Sequence, residues 1–345
     1  MTGRSDRGRI TAAWQGLGGW IGAHLMVVVP TCVVLGILFP QALLPVKPWV
    51  PTLFAIMTFQ NSLGNEVQAM KQALKRPLTL AAVLLTVHVV MPLVTFCAAN
   101  LCFGAGSPTV AGVVLEYSVP IGASTVMWIA MFEGDLALGL SALLASTLIA
   151  PFSIPLTLKL LVGTTVEIDA VGMIGDMLRM IALPALAATL LNEFSHGWAK
   201  RSLSPATMPV SRILLPIIVG TNATGIAGYL HNLNLRLVGI IVFMLAFAVL
   251  SMIVGMRLAR LLAKTRAQYV ATAFSCGIRN VSAGAVLAAQ YFGPEVMFPA
   301  VIGTLFQQFL AALFGRVMQR EIEGHSLDFI FESEGQSSPE EAPHR

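Results

Sequence analysis

Ten apolar stretches, each about long enough to cross a bilayer, follow one another along most of this 345-residue chain. They fall near 21–39, 49–65, 78–101, 109–131, 136–160, 171–192, 209–229, 236–258, 267–291 and 296–316. A span of roughly 20 apolar residues matches the hydrocarbon thickness. Hydrocarbon offers no hydrogen bonds, so each stretch must satisfy its backbone within itself, which predicts an all-α polytopic membrane protein. Composition agrees. Charged residues make up 11% of the chain and apolar ones 56%, whereas soluble domains carry about 25% charge.

The net charge is +4, yet its distribution points to the membrane and not to nucleic acid. With the N-terminus inside, internal segments hold Arg4, Arg7, Arg9, Lys71, Lys75, Arg76, Lys200, Arg201, Arg257, Arg260, Lys264, Arg266, Arg316, Arg320 and Arg345. The external loops hold Lys47, Lys159 and Arg236. That asymmetry predicts cytoplasmic N- and C-termini in a cell (inner or plasma) membrane. Residues 1–20 read as a basic cytoplasmic lead-in with no cleavable signal peptide, 21–318 as the transmembrane domain, and 319–345 as a flexible cytoplasmic tail. Cys32, Cys97, Cys102 and Cys276 show neither metal-ligand nor disulfide-framework spacing.

Two of the spans are interrupted. In the fourth, Leu115-Glu-Tyr-Ser-Val-Pro-Ile-Gly-Ala-Ser-Thr-Val-Met-Trp128 carries Pro120 and Gly122; the proline removes a donor and disfavours helix at Val119. In the ninth, Phe274-Ser-Cys-Gly-Ile-Arg-Asn-Val-Ser-Ala-Gly-Ala-Val286 carries Gly277 and a charge, Arg279. Unwound backbone survives at membrane depth only inside protein or against a wet cavity. The breaks occupy the fourth position of each set of five spans, and an odd number per half inverts the second half. This predicts a 5+5 inverted repeat with its site where the broken helices meet.

The polar residues at the breaks are the candidate substrate- and ion-binding set: Ser124, Thr125, Ser275, Arg279, Asn280 and Ser282. Arg279 lies roughly 18 Å into its span by helical rise, too deep to snorkel, so it requires a partner. Glu116, an organic anion and the carbonyl end of a half-helix are the candidates. Glu116 either forms a structural ion pair with Arg279 or takes up and releases a proton during transport. His88, a turn before Pro92, is either a hydrogen-bonded packing residue or a second proton carrier. Asn61, Asn65, Thr221, Asn222 and Thr224 in spans two and seven either line a cavity or bond between helices. Gln307 and Gln308 read as packing residues, and Asp176 with Arg179 as a local ion pair.

The segment Pro120-Ile-Gly-Ala-Ser-Thr-Val-Met127, with Glu133-Gly-Asp135-Leu-Ala-Leu and Ser146-Thr147…Pro151, resembles helices four and five of the bile acid:sodium symporter family. Gly277-Ile-Arg-Asn280 and the small-residue run to Leu287 are similar to its ninth helix; Leu35-Gly-Ile-Leu-Phe-Pro40 and Met91-Pro92 fit its first and third. The resemblance covers about 21–318. It implies a ten-helix inverted repeat with a panel domain (about 21–65 and 171–229) and a core domain (about 78–160 and 236–318). The broken helices would cross in the core, facing the substrate cavity.

The same comparison implies a loss of sodium ligands. Ser124 is kept, but its asparagine partner is Thr125. The family's span-nine glutamate falls at Ser275, and the glutamine that follows it falls near Arg279, while Asn280 is retained. Its span-five hydroxyl ligands fall at Gly139 and Leu143, and its span-three glutamine near Val87. A fixed guanidinium repels a sodium ion at that place and can supply its positive charge.

The expectation is therefore not an enzyme but a secondary transporter of a small organic anion, working by alternating access with proton-linked or sodium-independent coupling. Sodium coupling through Ser124, Thr125 and Asn280 is the alternative; no other metal and no cofactor is expected. An arsenite-type efflux carrier is disfavoured because no cysteine lies between Cys102 and Cys276. An intramembrane enzyme would need a converging catalytic set, and no HExxH motif occurs; a receptor would need a signalling domain that the tail is too short to supply. The expected partners are the anion and the lipid bilayer, with no nucleic acid, and a monomer suffices.

Overall fold

The computed structural model describes residues 3–68, 77–164, 166–230 and 234–324, with side chains from residue 12 onward. Lys71, Lys75, Arg76, Arg345 and most of the expected tail lie outside the described residues, as do the side chains of Arg4, Arg7 and Arg9. The described chain is helical: α1 (Gly3–Ala23) and α2 (Leu25–Leu38); α3 (Pro40–Ser62) and α4 (Pro77–Phe103); α5 (Pro108–Ser118), α6 (Ser124–Met131) and α7 (Leu136–Val162); α8 (Ala170–Phe194) and α9 (Ala199–Leu230); α10 (Leu235–Leu262), α11 (Arg266–Gly277), α12 (Val281–Tyr291) and α13 (Pro294–Glu323).

Seven of these are long and apolar enough to cross a membrane, or eight if α1 and α2, bent by 84° at His24, form one span. The protein is thus a multi-pass membrane protein. The four half-length helices α5, α6, α11 and α12 fail that test singly, since at 1.5 Å per residue none reaches across about 30 Å of hydrocarbon.

Helix starts follow local chemistry. Asp135, Asp169, Asn234, Thr265 and Asn280 each accept the backbone N–H three residues on, capping α7, α8, α10, α11 and α12. Prolines inside α4, α8 and α9 are accommodated in one recurring way. One proline in each, though neither Pro209 nor Pro216 of α9, is preceded by a five-residue π turn: Thr86–Val90 before Pro92, Leu178–Ala182 before Pro184 and Ala199–Leu203 before Pro205. The residue before each proline bonds five residues back, Met91 to the Thr86 carbonyl in α4. In that pattern the next carbonyl, of Val87, would await an N–H that Pro92 does not have.

Two sets of helices pack closely within themselves, and they also touch each other, α7 against α8 and α9 against α12. In one, α9 lies against α1, α2 and α3, and α3 against α8. In the other, α10 packs along α11 and α13, and α5 against α4 and α13. Small residues allow close approach: a Cβ on Gly36 of α2 would strike the Gly220 carbonyl of α9. The segment expected as a simple lead-in is helix α1, whose Trp14 Nε1 donates to the Ala206 carbonyl (3.1 Å) and whose Gln15 Nε2 donates to that of Pro205 (2.9 Å).

Candidate functional site at two facing helix breaks

Helix α5 stops where the sequence dictates. Val119 is extended (φ −65°, ψ 154°) ahead of Pro120, and the chain re-enters helix at Ser124. Helix α11 stops at Gly277, Ile278 is extended (φ −105°, ψ 123°), and helix resumes at Val281. The two unwound segments satisfy each other. Ile121 and Arg279 form an isolated antiparallel bridge, in which Gly122 N–H donates to the Ile278 carbonyl (3.3 Å) and Asn280 N–H to that of Pro120 (2.7 Å). Gly122 permits this approach, because a Cβ there would stand 2.6 Å from the Arg279 carbonyl oxygen.

Side chains from two further helices take up two more donors. Ser146 Oγ of α7 accepts from Ile121 N–H (3.0 Å), and Gln307 Oε1 of α13 accepts from Arg279 N–H (2.9 Å). Neither residue is assigned to the site by the sequence: Ser146 enters it only as part of the helix-five resemblance, and Gln307 reads as packing, its one signal a polar side chain inside an apolar span. Gln308 accepts from Trp128 Nε1 (3.0 Å). His88 has both ring nitrogens engaged, Nε2 with Ser146 Oγ at 2.8 Å and Nδ1 with Ser153 Oγ at 2.9 Å. It thereby braces the serine that holds the first break.

The Arg279 side chain is 3% exposed and turns inward, its Nη1 donating at 3.4 Å to the Val87 carbonyl. That is the oxygen for which Pro92 leaves no α4 donor. Arg279 Nε and Nη2, and both carboxylate oxygens of Glu116, have no hydrogen-bond partner. Glu116 and Arg279 line one small cavity of about 20 Å³, with Tyr117 and Gln307 among its other walls, but no ion pair joins them among the described residues. Glu116 is wedged between Gly284 and Gly303; a Cβ on Gly303 would lie 2.8 Å from its Oε1. Thr125 Oγ1 and Ser275 Oγ are likewise buried without partners.

On the other side of the bridge lies a cavity of about 590 Å³ between the two helix groups. Gly122, Ala123 and Ser124 at the start of α6 face it, as do Asn280, Val281 and Ser282 at the start of α12. Asn61 and Thr147 also contribute, and among the described residues no aspartate or glutamate does. Asn222 is buried in α9 away from this wall, its Nδ2 without a partner; Thr221 and Thr224 back-bond within their own helix. Asp176 and Arg179 are 3.6 Å apart, as their spacing predicted, and Asp176 also accepts from Tyr291 Oη at 2.6 Å, linking α8 to α12.

Known proteins share this chain over most of its length. It is 35% identical over 291 residues to a Bacillus subtilis protein described as uncharacterized protein YbaS, covering 84% of this chain and 95% of that one. It is 22% identical to the B. subtilis uncharacterized sodium-dependent transporter YocS, covering 84% and 89% of the two chains. It is 25% identical to the probable sodium/metabolite cotransporter BASS1 of Arabidopsis thaliana, covering 83% and 71%. The family described as Sodium Bile acid symporter family matches residues 50–233, a stretch that holds the first break and all of α9. The chain belongs to the sodium bile acid symporter family, a family of membrane symport proteins.

Proposed function

We propose that this protein is a secondary transporter that carries a small organic anion across the cell membrane by alternating access. The observation that carries this reading is the pair of half-helix N-termini, α6 and α12, which face one 590 Å³ cavity with no acidic side chain in its wall among the described residues. Helix N-termini present free N–H groups and partial positive charge, which favour an anion. A cavity of that volume suits a metabolite-sized molecule.

Counting each broken pair as one span, and α2 with its flank as another, gives ten spans in a 5+5 inverted arrangement with both termini cytoplasmic. In this reading α2, α3, α8 and α9 are the panel, and α4–α7 with α10–α13 the core. Leu25, Gly64 and Ser204, at helix ends that the charge asymmetry puts inside, line the cavity, which favours an inward-open state. Rocking to the outward state would part Asp176 from Tyr291.

Coupling is assigned to protons or to no ion. Val87 and Arg279 stand where the family resemblance would put two sodium-ligating glutamines, and here the guanidinium of one bonds the carbonyl of the other. Gly139 and Leu143 offer no side-chain oxygen, so the residues present do not fit a sodium pair. Glu116, with both oxygens unpartnered, is the acid proposed to exchange the proton. The alternative is residual sodium coupling at Ser124, Thr125 and Asn280.

Uptake of a panel of radiolabelled organic acids into proteoliposomes, with sodium and proton gradients imposed separately, tests both parts. Uptake indifferent to sodium and responsive to pH is expected, and Glu116→Gln should remove the pH response. Sodium-stimulated uptake with no pH dependence would overturn the coupling assignment, and failure of every organic acid would overturn the cargo class.

A further inference from the structure

We propose that Arg212 is a substrate-recognition residue of the 590 Å³ cavity, and that with the α6 and α12 N-termini it makes the cargo an organic dianion bearing two separated carboxylate-like groups. This deepens the reading above and rests on its anionic cargo.

Among the described residues two arginines line the cavity, and only one of them has a guanidinium available to it. The Arg279 side chain is buried and turned to the Val87 carbonyl. Arg212, on α9, is half-buried and reaches the same cavity from the opposite helix group. Among the described residues no carboxylate pairs with it. Its guanidinium is nevertheless held in place. Nη1 donates to the Gly18 carbonyl of α1 at 2.9 Å, and the group lies flat on Gly22, where a Cβ would stand 2.6 Å from Cζ and 2.8 Å from Nε.

One edge of the guanidinium is therefore fixed by α1, and Nη2 remains to donate. An arginine preorganised in this way is suited to a carboxylate, which accepts charge-assisted hydrogen bonds from it. The facing wall supplies two helix N-termini and no anion. A monoanion can satisfy one wall only, whereas a molecule with an anionic group at each end satisfies both without leaving a buried charge unmatched. The cavity's remaining wall, with Met57, Met127, Leu215 and Phe309, suits an apolar linker between the two groups.

The test uses the full chain in detergent or nanodiscs, titrated with unbranched α,ω-dicarboxylates from succinate to suberate and with monocarboxylates of equal length. At least one dicarboxylate should bind about tenfold or more tightly than its monocarboxylate, as one added charge-assisted contact of ~1.4 kcal/mol gives. Arg212→Gln should abolish that preference, weakening dicarboxylate binding more than monocarboxylate binding, and Arg212→Lys should restore part of it. Gly22→Ala keeps the charge but pushes the guanidinium off its seat; it should weaken the preference too, and it serves if Arg212→Gln fails to fold. A preference for dicarboxylates unchanged in both Arg212→Gln and Gly22→Ala would overturn the role of Arg212. Equal binding of both acid classes by the native chain would overturn the dianion while leaving the anion-transporter reading intact. No binding of any acid would overturn both.

Discussion

The two breaks look alike in outline and differ in what makes them. The first is written into its own segment: Pro120 withholds a donor, Val119 is forced extended, and Gly122 allows the partner backbone to come close. The second contains no proline. It opens because hydrogen-bonding groups are engaged by other segments, Arg279 N–H by Gln307 and Asn280 N–H by the Pro120 carbonyl, while its own Asn280 caps the helix that resumes. One break is intrinsic, and the other is held open by its surroundings.

The widest difference between the breaks should appear at their glycines. Gly122→Ala places a methyl 2.6 Å from a carbonyl oxygen in the opposing backbone, which cannot move without disrupting the bridge. Gly277→Ala meets the end of the Met252 side chain instead, and methionine can turn aside. Overpacking costs typically about 1–3 kcal/mol, so Gly122→Ala is expected near the top of that range and Gly277→Ala near the bottom. Thermal unfolding of the purified variants would read the difference. Equal losses would show that the backbone bridge does not limit the first site.

Next in size is the support each break draws from outside. Ser146→Ala strips the acceptor from a buried N–H, that of Ile121, and frees one nitrogen of His88. Leaving a buried donor unmade costs ~2 kcal/mol. Gln307→Leu does the same to Arg279 N–H, and because the second break depends on such outside partners, its loss should be at least as large. A smaller loss for Gln307→Leu than for Ser146→Ala would mean that the second break, too, is set by its own sequence.

That contrast also explains what the sequence made legible. Long apolar runs and helix breakers are local signals, so the long helices could be placed from their own segments and the first break from residues 109–131 alone. Arg279 was conspicuous because charge is rare at that depth. The direction of its side chain was not, since it depends on a carbonyl of α4 that the combination of a π turn and Pro92 leaves without a backbone donor. Ser146, Gln307 and Arg212 went unassigned for a similar reason. A serine or glutamine in an apolar span usually serves helix packing, and nothing within α7 or α13 says that a broken helix stands opposite. Helix α1 was hidden because residues 1–20 lack a sustained apolar run, and its docking rests on Trp14, Gln15 and two glycines meeting α9.

The smallest expected effect concerns Asn280, which has two parts to play at one position. Its Oδ1 accepts from Ala283 N–H at 3.2 Å, capping α12, and the same residue lines the large cavity. Asn280→Ala removes the cap and should cost ~1 kcal/mol of stability. Asn280→Asp separates the two parts, because aspartate caps as well as asparagine does and its charge suits the helix dipole. Stability should therefore be kept to within about 0.5 kcal/mol, while the new carboxylate repels the cargo anion and competes for the N-terminus of α12. Anion binding should then fall further in Asn280→Asp than in Asn280→Ala, the reverse of their order in stability. If the two measurements rank the variants alike, the cap alone accounts for Asn280 and the second break has no part in holding the anion.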